Sequence, residues 1–241
     1  MIRPFLFLFA LLAFSSAQAN EAGVKRILEK NYPQLGKIEK VEKAHILGLY
    51  EVVSDGHLFY TDEKAQYLIN GNIFELKSMR NLTDERAKIL FAVDFNALPL
   101  ELAVREVKGN GRRKLAFFAD PNCHYCKQLE SELLHVDNVT LYRFLFPIFQ
   151  GSDEKVRNIL CSKDPSKTWE DWMNNAVQPA SASCDDGGRT EKVVALARKM
   201  NVTGTPTLIF ASGQLNPGYL PAEELEKALD EPAPKKAASS K

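Results

Sequence analysis

Lys114-Leu115-Ala116-Phe117-Phe118-Ala119-Asp120-Pro121-Asn122-Cys123-His124-Tyr125-Cys126-Lys127-Gln128-Leu129 is the stretch whose reading decides the fold. Its first six residues are apolar apart from Lys114, the pattern of a strand covered on both faces. Asp120-Pro121-Asn122 ends that strand, and Asn122 is the expected cap of a following helix. Cys123 then falls in the first helical turn, where unpaired backbone N–H groups and the positive end of the helix dipole favour a thiolate. Cys126 lies one turn on, above Leu129 and Leu133, and is expected to be the more buried thiol. The asymmetry assigns roles: Cys123 attacks a disulfide and Cys126 resolves the mixed disulfide. The sulfur of Cys123 is expected to be exposed and ionised near neutral pH. His124, between the two, is expected to favour the thiolate and make the pair oxidising. The potential should then lie above that of thioredoxin, which sits ~90 mV below protein disulfide isomerase.

Metal and haem are poor readings of the same motif. A zinc site needs two more ligands at similar spacing, and Cys161 and Cys184 are far apart in the chain. Haem attachment needs His after the second Cys, and Lys127 stands there. No metal and no cofactor are expected. With four cysteines, three pairings are open.

Around this centre the chain reads as an α/β unit from Leu100. Leu102–Val107, Lys114–Ala119, Val139–Phe146 and Thr207–Phe210 are expected strands. A polar, helix-rich stretch fills about 152–200, and Pro221 opens a last helix over 221–229. Gly204-Thr205-Pro206-Thr207 places a proline at the start of an apolar strand, where its missing N–H need not pair. Upstream, 20–31 reads as an amphipathic helix with Val24, Ile27 and Leu28 on one side. Residues 32–77 read as a small antiparallel sheet, with turn signals at Ser54-Asp55-Gly56 and Asn70-Gly71-Asn72. Such a sheet has little core of its own and is often completed by oligomerisation. Residues 82–97 read as a connecting helix with Thr83 at its N-cap. The fold class is therefore α+β.

The N-terminus reads as an export signal. Arg3 precedes the apolar run Phe5–Phe14, and Ala17-Gln18-Ala19 offers a cleavage site after Ala19. The run is about half the ~20 residues a transmembrane helix needs. Lys and Arg number 31, as do Asp and Glu, which argues against nucleic acid as a partner. The expected domains are a signal peptide (1–19), an N-terminal domain (20–80), a linker helix (81–99), a catalytic domain (100–230) and a loose tail (231–241).

A strand, Cys-x-x-Cys at a helix start and a later Thr-Pro before a strand resemble the thioredoxin fold. More narrowly, Leu58-Phe59-Tyr60-Thr61-Asp62-Glu63-Lys64, Cys123-x-Tyr125-Cys126, Leu145-Phe146-Pro147, Cys161-Ser162-Lys163-Asp164, Pro179 to Cys184, Gly204-Thr205-Pro206 and Pro217-Gly218-Tyr219 resemble the DsbC/DsbG family of periplasmic disulfide isomerases. The resemblance implies an N-terminal dimerisation domain, a V-shaped homodimer and a cleft that holds misfolded disulfide-containing exported proteins. It implies that Cys123 and Cys126 are kept reduced by a membrane electron donor of the DsbD type. It implies a cis Pro206 facing the cysteines, Thr205 touching substrate backbone, Tyr125 at the active site, and a structural disulfide between Cys161 and Cys184. His124 departs from the family's usual Gly. The competing functions are a DsbG-like reductase of sulfenylated cysteines, a chaperone-like binding module and a DsbA-like oxidase. His57, His135, Trp169 and Trp172 are read as surface or packing residues.

Overall fold

The computed structural model describes residues 15–233; the apolar run of the expected export signal and most of the expected tail lie outside them. The chain divides into two compact units, parting between Ala87 and Lys88.

In the first unit, helix α1 (Ser15–Asn31) packs on a sheet of four antiparallel strands in the order β1 (Ile38–Lys43), β2 (Tyr50–Ser54), β3 (His57–Thr61) and β4 (Leu68–Ile69). The period-3.6 stripe of α1 buries Val24 and Leu28 against Ile38, Val41, Tyr50, Val52 and Phe59. Charged β1 was not legible as a strand; its Ile38 and Val41 carry its only buried side chains. Ahead of β2, Leu47 and Gly48 form a turn, both at positive φ.

Asn70-Gly71-Asn72 does not make the expected hairpin. β4 pairs back onto β3, and β5 (Phe74–Glu75) pairs with β6 (Arg80–Asn81). The Thr83 hydroxyl pulls this segment in, accepting from the Ile73 N–H and bonding the Tyr60 hydroxyl, both at 3.0 Å. Thr83 is therefore committed inside helix α2 (Leu82–Leu90), and Asn81 caps it instead, its Oδ1 accepting from the Asp84 N–H at 3.1 Å. Arg86 of α2 ion-pairs with Glu42 and Glu51. The helix stops well short of 97, because Val93 bonds the Gly213 carbonyl at 2.8 Å and Asp94 caps a separate 3-10 turn, Phe95–Ala97.

The second unit is built on a five-stranded sheet in the order β11 (Leu215–Pro217), β10 (Thr207–Phe210), β8 (Arg113–Ala119), β9 (Val139–Leu145), β7 (Val104–Val107). β8 and β9 are parallel and joined through α3 (His124–Leu133); the other pairs are antiparallel. Strand alternation sorts β8 onto two cores. Leu115, Phe117 and Ala119 face a cluster with both active-site cysteines, Leu129, Leu133 and Trp169. Ala116 and Phe118 face a second, with Phe95, Phe144, Val193 and Ile209. Helices α4 (Ser152–Leu160), α5 (Pro165–Asn175), α6 (Arg189–Lys199) and α7 (Ala222–Asp230) complete the unit. Pro221 precedes α7 as its N-cap rather than opening it.

One charged network lies in the interior. Arg143 of β9 makes a two-pronged bond to Glu130 of α3, at 2.7 and 2.8 Å, and reaches Glu106 of β7 at 2.6 Å. The Trp169 indole N–H donates to the same Glu130 at 2.7 Å. Burying an ion costs several kcal/mol unless its partners are in place. This network therefore fixes the rotation of the helix that carries the cysteines.

Candidate active site

β8 delivers Asp120 to the top of the sheet, and the Cys123 N–H bonds its carbonyl at 3.1 Å. Cys123 itself is the N-cap of α3, its sulfur accepting from the Cys126 N–H at 3.4 Å. Asn122, the expected cap, is used elsewhere: its amide donates to the Gln150 carbonyl at 3.0 Å and its oxygen accepts from Lys155 at 2.6 Å. The Cys123 thiol donates to the Thr205 carbonyl at 3.2 Å, and the Thr205–Pro206 peptide bond is cis. The structure thus brings Cys123, Cys126, Thr205 and Pro206 to one place.

The nucleophile is not exposed as expected. Cys123 is 3% exposed, because the Thr205 carbonyl seats its sulfur and the residue joins the apolar core below. Burial alone would raise a thiol pKa. Here the donors prevail, and the Cys123 thiol is lowered to about 6. The largest cause is the Cys126 side chain as hydrogen-bond donor; the Thr205 side chain and the backbone N–H groups of Cys126 and Tyr125 add to it. Cys126 is pushed far up, first by its burial and then by Cys123. The Thr205 hydroxyl is buried with no partner at hydrogen-bond geometry, yet stands near enough to favour the ionised form of either sulfur. Both cysteines are free thiols.

His124 and Tyr125 lie on the exposed side of the first turn of α3. Tyr125 is 56% exposed. Its ring stacks on Tyr219 (centroids 6.0 Å apart, 16° between planes) and meets His124 edge-on. Tyr219 lies outside the expected site residues, although Pro217-Gly218-Tyr219 is among the family-like motifs. Asp120 also lies outside the expected site residues. Its fully buried carboxylate accepts from the N–H groups of Asn122, Ile148 and Phe149 and from the Ser152 hydroxyl, at 2.6 to 3.1 Å. A charged residue at the C-terminal end of a buried strand was the available signal, since only convergent donors make it tolerable there.

Cys161 and Cys184 are joined, their Cα atoms 5.8 Å apart, closing the segment that contains α5. That helix supplies Trp169 to the interior and Trp172, whose indole N–H donates to the Pro121 carbonyl at 2.6 Å. Among the described residues no cluster of His, Cys, Asp or Glu is arranged to hold a metal ion, and no helix is long and apolar enough to cross a membrane.

Comparison with known proteins gives both units a counterpart. The Thioredoxin-like domain family matches residues 100–232, and the Disulfide bond isomerase protein N-terminal domain matches residues 15–84. The "Probable thiol:disulfide interchange protein DsbC" of Bordetella parapertussis is 46% identical over 183 residues, which are 76% of this chain. The match spans 65% of that relative's length. The Escherichia coli "Thiol:disulfide interchange protein DsbC" is 27% identical over 241 residues, covering 96% of this chain and 97% of its own. The crystal structure of a disulfide interchange protein from Neisseria gonorrhoeae superposes with a TM-score of 0.54 at 34% identity, covering 57% of this chain and all of that one.

Proposed function

The chain belongs to the DsbC family of thioredoxin-like proteins, and from that premise we propose that it is a thiol:disulfide isomerase and reductase of exported proteins. The observation that carries the reading is the unequal seating of the two sulfurs: Cys123 caps α3 and bonds the Thr205 carbonyl at 3.2 Å, while Cys126 is fully buried, which lowers the first thiol and raises the second.

The Cys123 thiolate attacks one sulfur of a substrate disulfide. A Cys123–substrate bond forms, the substrate bond breaks, and the second substrate sulfur leaves as a thiolate. In isomerisation another substrate thiolate attacks the mixed disulfide, and Cys123 is regenerated with no net electron transfer. In reduction Cys126 loses its proton and attacks Cys123, so the substrate leaves with both thiols and the pair is oxidised. A donor of the DsbD type then returns two electrons. The raised Cys126 pKa keeps that thiol protonated and delays resolution, which leaves time for the substrate's own thiols to act. Thr205 and the cis Pro206 border the substrate backbone, His124 and Tyr125 flank the reacting sulfur, and the Cys161–Cys184 bond braces α5.

The first unit serves as a dimerisation domain. β4 is an edge strand of its sheet, and Tyr67, Leu68, Ile69, Phe74, Leu76 and Met79 are exposed there and in the adjoining segments. Such an edge and such a concentration of apolar surface mark an interaction site. The signal over 1–19 directs export to the periplasm, where misfolded disulfide proteins are the substrates.

Refolding of a scrambled multi-disulfide protein tests the reading. The wild-type protein should restore activity to that substrate, Cys123→Ala should not, and Cys126→Ala should retain isomerisation while losing net reduction. Full recovery with Cys123→Ala would leave a chaperone-like binding module instead.

A further inference from the structure

Trp172 is gripped by two cations. The Lys155 ammonium lies 3.8 Å from its ring centroid and the Lys127 ammonium 4.4 Å. Such contacts hold a cation against a ring without neutralising it. Among the described residues neither lysine is ion-paired with a carboxylate; Lys155 donates instead to the neutral Asn122 side chain. The Lys155 amine is lowered by burial and then by the like charge of Lys127, with the buried Asp120 carboxylate opposing. The two ammonium groups therefore repel each other, and the single Asp120 carboxylate offsets only part of their charge.

Their place gives them a use. Asn122, the partner of Lys155, is the residue before Cys123, and Lys127 is the residue after Cys126. Trp172 donates to Pro121, so platform and cations are tied to the same segment as the nucleophile. Lys127 and Lys155 are both half-buried, so neither side chain is closed off from solvent. Asn110, Asn138 and Asp230, which line the cavity beside Arg112, offer no such link to the sulfurs.

We propose that Lys127 and Lys155, presented on Trp172, form a subsite for a carboxylate, and that the protein prefers disulfides whose half-cystine is flanked by Asp or Glu in an extended polypeptide. The inference rests on the disulfide-exchange reading and names a substrate class for it. An acidic side chain beside the attacked sulfur supplies the second negative charge that Asp120 leaves unmatched at the lysine pair and draws the disulfide to Cys123.

Three disulfide-linked peptides, identical except for Glu, Gln or Lys next to one half-cystine, test this by the second-order rate constant of their single-turnover reduction by the reduced protein. Wild-type protein should favour Glu over Gln by about 3- to 10-fold, the range of two partly exposed ion pairs. That ratio should fall toward one in Lys127→Gln/Lys155→Gln and under high salt, and Lys155→Glu should turn the preference toward the Lys peptide. A wild-type ratio of one would overturn the subsite while leaving disulfide exchange standing. Equal losses for all three peptides in the variants would overturn it too, by showing that the lysines act on the sulfurs rather than on substrate charge. No exchange with any peptide would end both readings.

Discussion

Replacing Cys126 by Ala should raise the pKa of Cys123, because the Cys126 side chain is the largest cause of its depression. A hydrogen bond to a charged group contributes about 1.5–3 kcal/mol. At 1.36 kcal/mol per pKa unit that is a rise of about one to two units, from about 6 to about 7–8. At pH 7 the wild-type sulfur is about 90% thiolate, and the variant's should be about 10–50%. Cys126→Ser keeps an O–H donor in the same place, so its midpoint should stay close to the wild-type one. The assay is the rate of alkylation by iodoacetamide across pH, with the thiolate absorbance followed in parallel. The rate at a single pH does not decide the matter. A thiolate of higher pKa is intrinsically about 3- to 10-fold more nucleophilic over this span, which offsets its lower population. The midpoint of the profile is the measurement. If Cys126→Ala titrates where the wild type does, then the helix N-terminus and Thr205 hold the thiolate unaided, and the coupling between the two sulfurs is refuted.

Stability of the reduced protein should follow the same group. Cys123 has its folded pKa below its unfolded value, so its contribution is complete above about 8.5, declines as pH falls, and is lost below about 6. Denaturant unfolding against Cys123→Ala should show a difference that grows by about 2 kcal/mol between pH 6 and pH 8, where Cys126 is still mostly protonated in both states; a pH-independent difference would contradict it. Replacing Cys161 and Cys184 by Ser opens a loop of 23 residues and should cost about 3 kcal/mol on the chain-entropy account, visible as a lower unfolding midpoint with both active-site thiols still reactive. Glu130→Ala takes the two-pronged partner from the buried Arg143 guanidinium and the acceptor from Trp169, leaving Arg143 only Glu106, and should cost about 3 kcal/mol in the same unfolding assay, whereas a loss under 1 kcal/mol would mean that Glu106 and water suffice for the guanidinium. Gly213→Ala should destabilise as well, since φ is +90° and the new Cβ would sit 2.6 Å from the Val93 carbonyl; an unchanged midpoint would show that this turn rearranges freely.

Much of the second unit was legible because its signals are local and strong. An apolar run at Lys114–Ala119 leaves little choice but a buried strand, and a cysteine at the following turn meets the N–H groups of a helix start wherever the rest of the chain goes. Thr207–Phe210 and the helix-rich stretch after 152 were equally plain. Weaker local signals lost to partners distant in sequence. Asn70-Gly71-Asn72 has the composition of a hairpin turn, but pairing of Leu68 and Ile69 with β3 and the grip of Thr83 on Ile73 left it unpaired across. Asn122 has the side chain of a cap, but Gln150 and Lys155 claimed it and the sulfur of Cys123 capped the helix in its place.

By itself the sequence determined that two cysteines stand one helical turn apart at the end of a buried strand, with their chemistry unequal, because strand and helix periods are properties of neighbouring residues. Only the tertiary structure decided how unequal. The Thr205 carbonyl and hydroxyl come from 82 positions away, Asp120 gathers donors from the 148–152 turn, and Trp172 carries two lysines to the flank of the site. A pKa is set by whatever charges and donors lie within a few ångströms, and which groups those are is a matter of how the chain is folded.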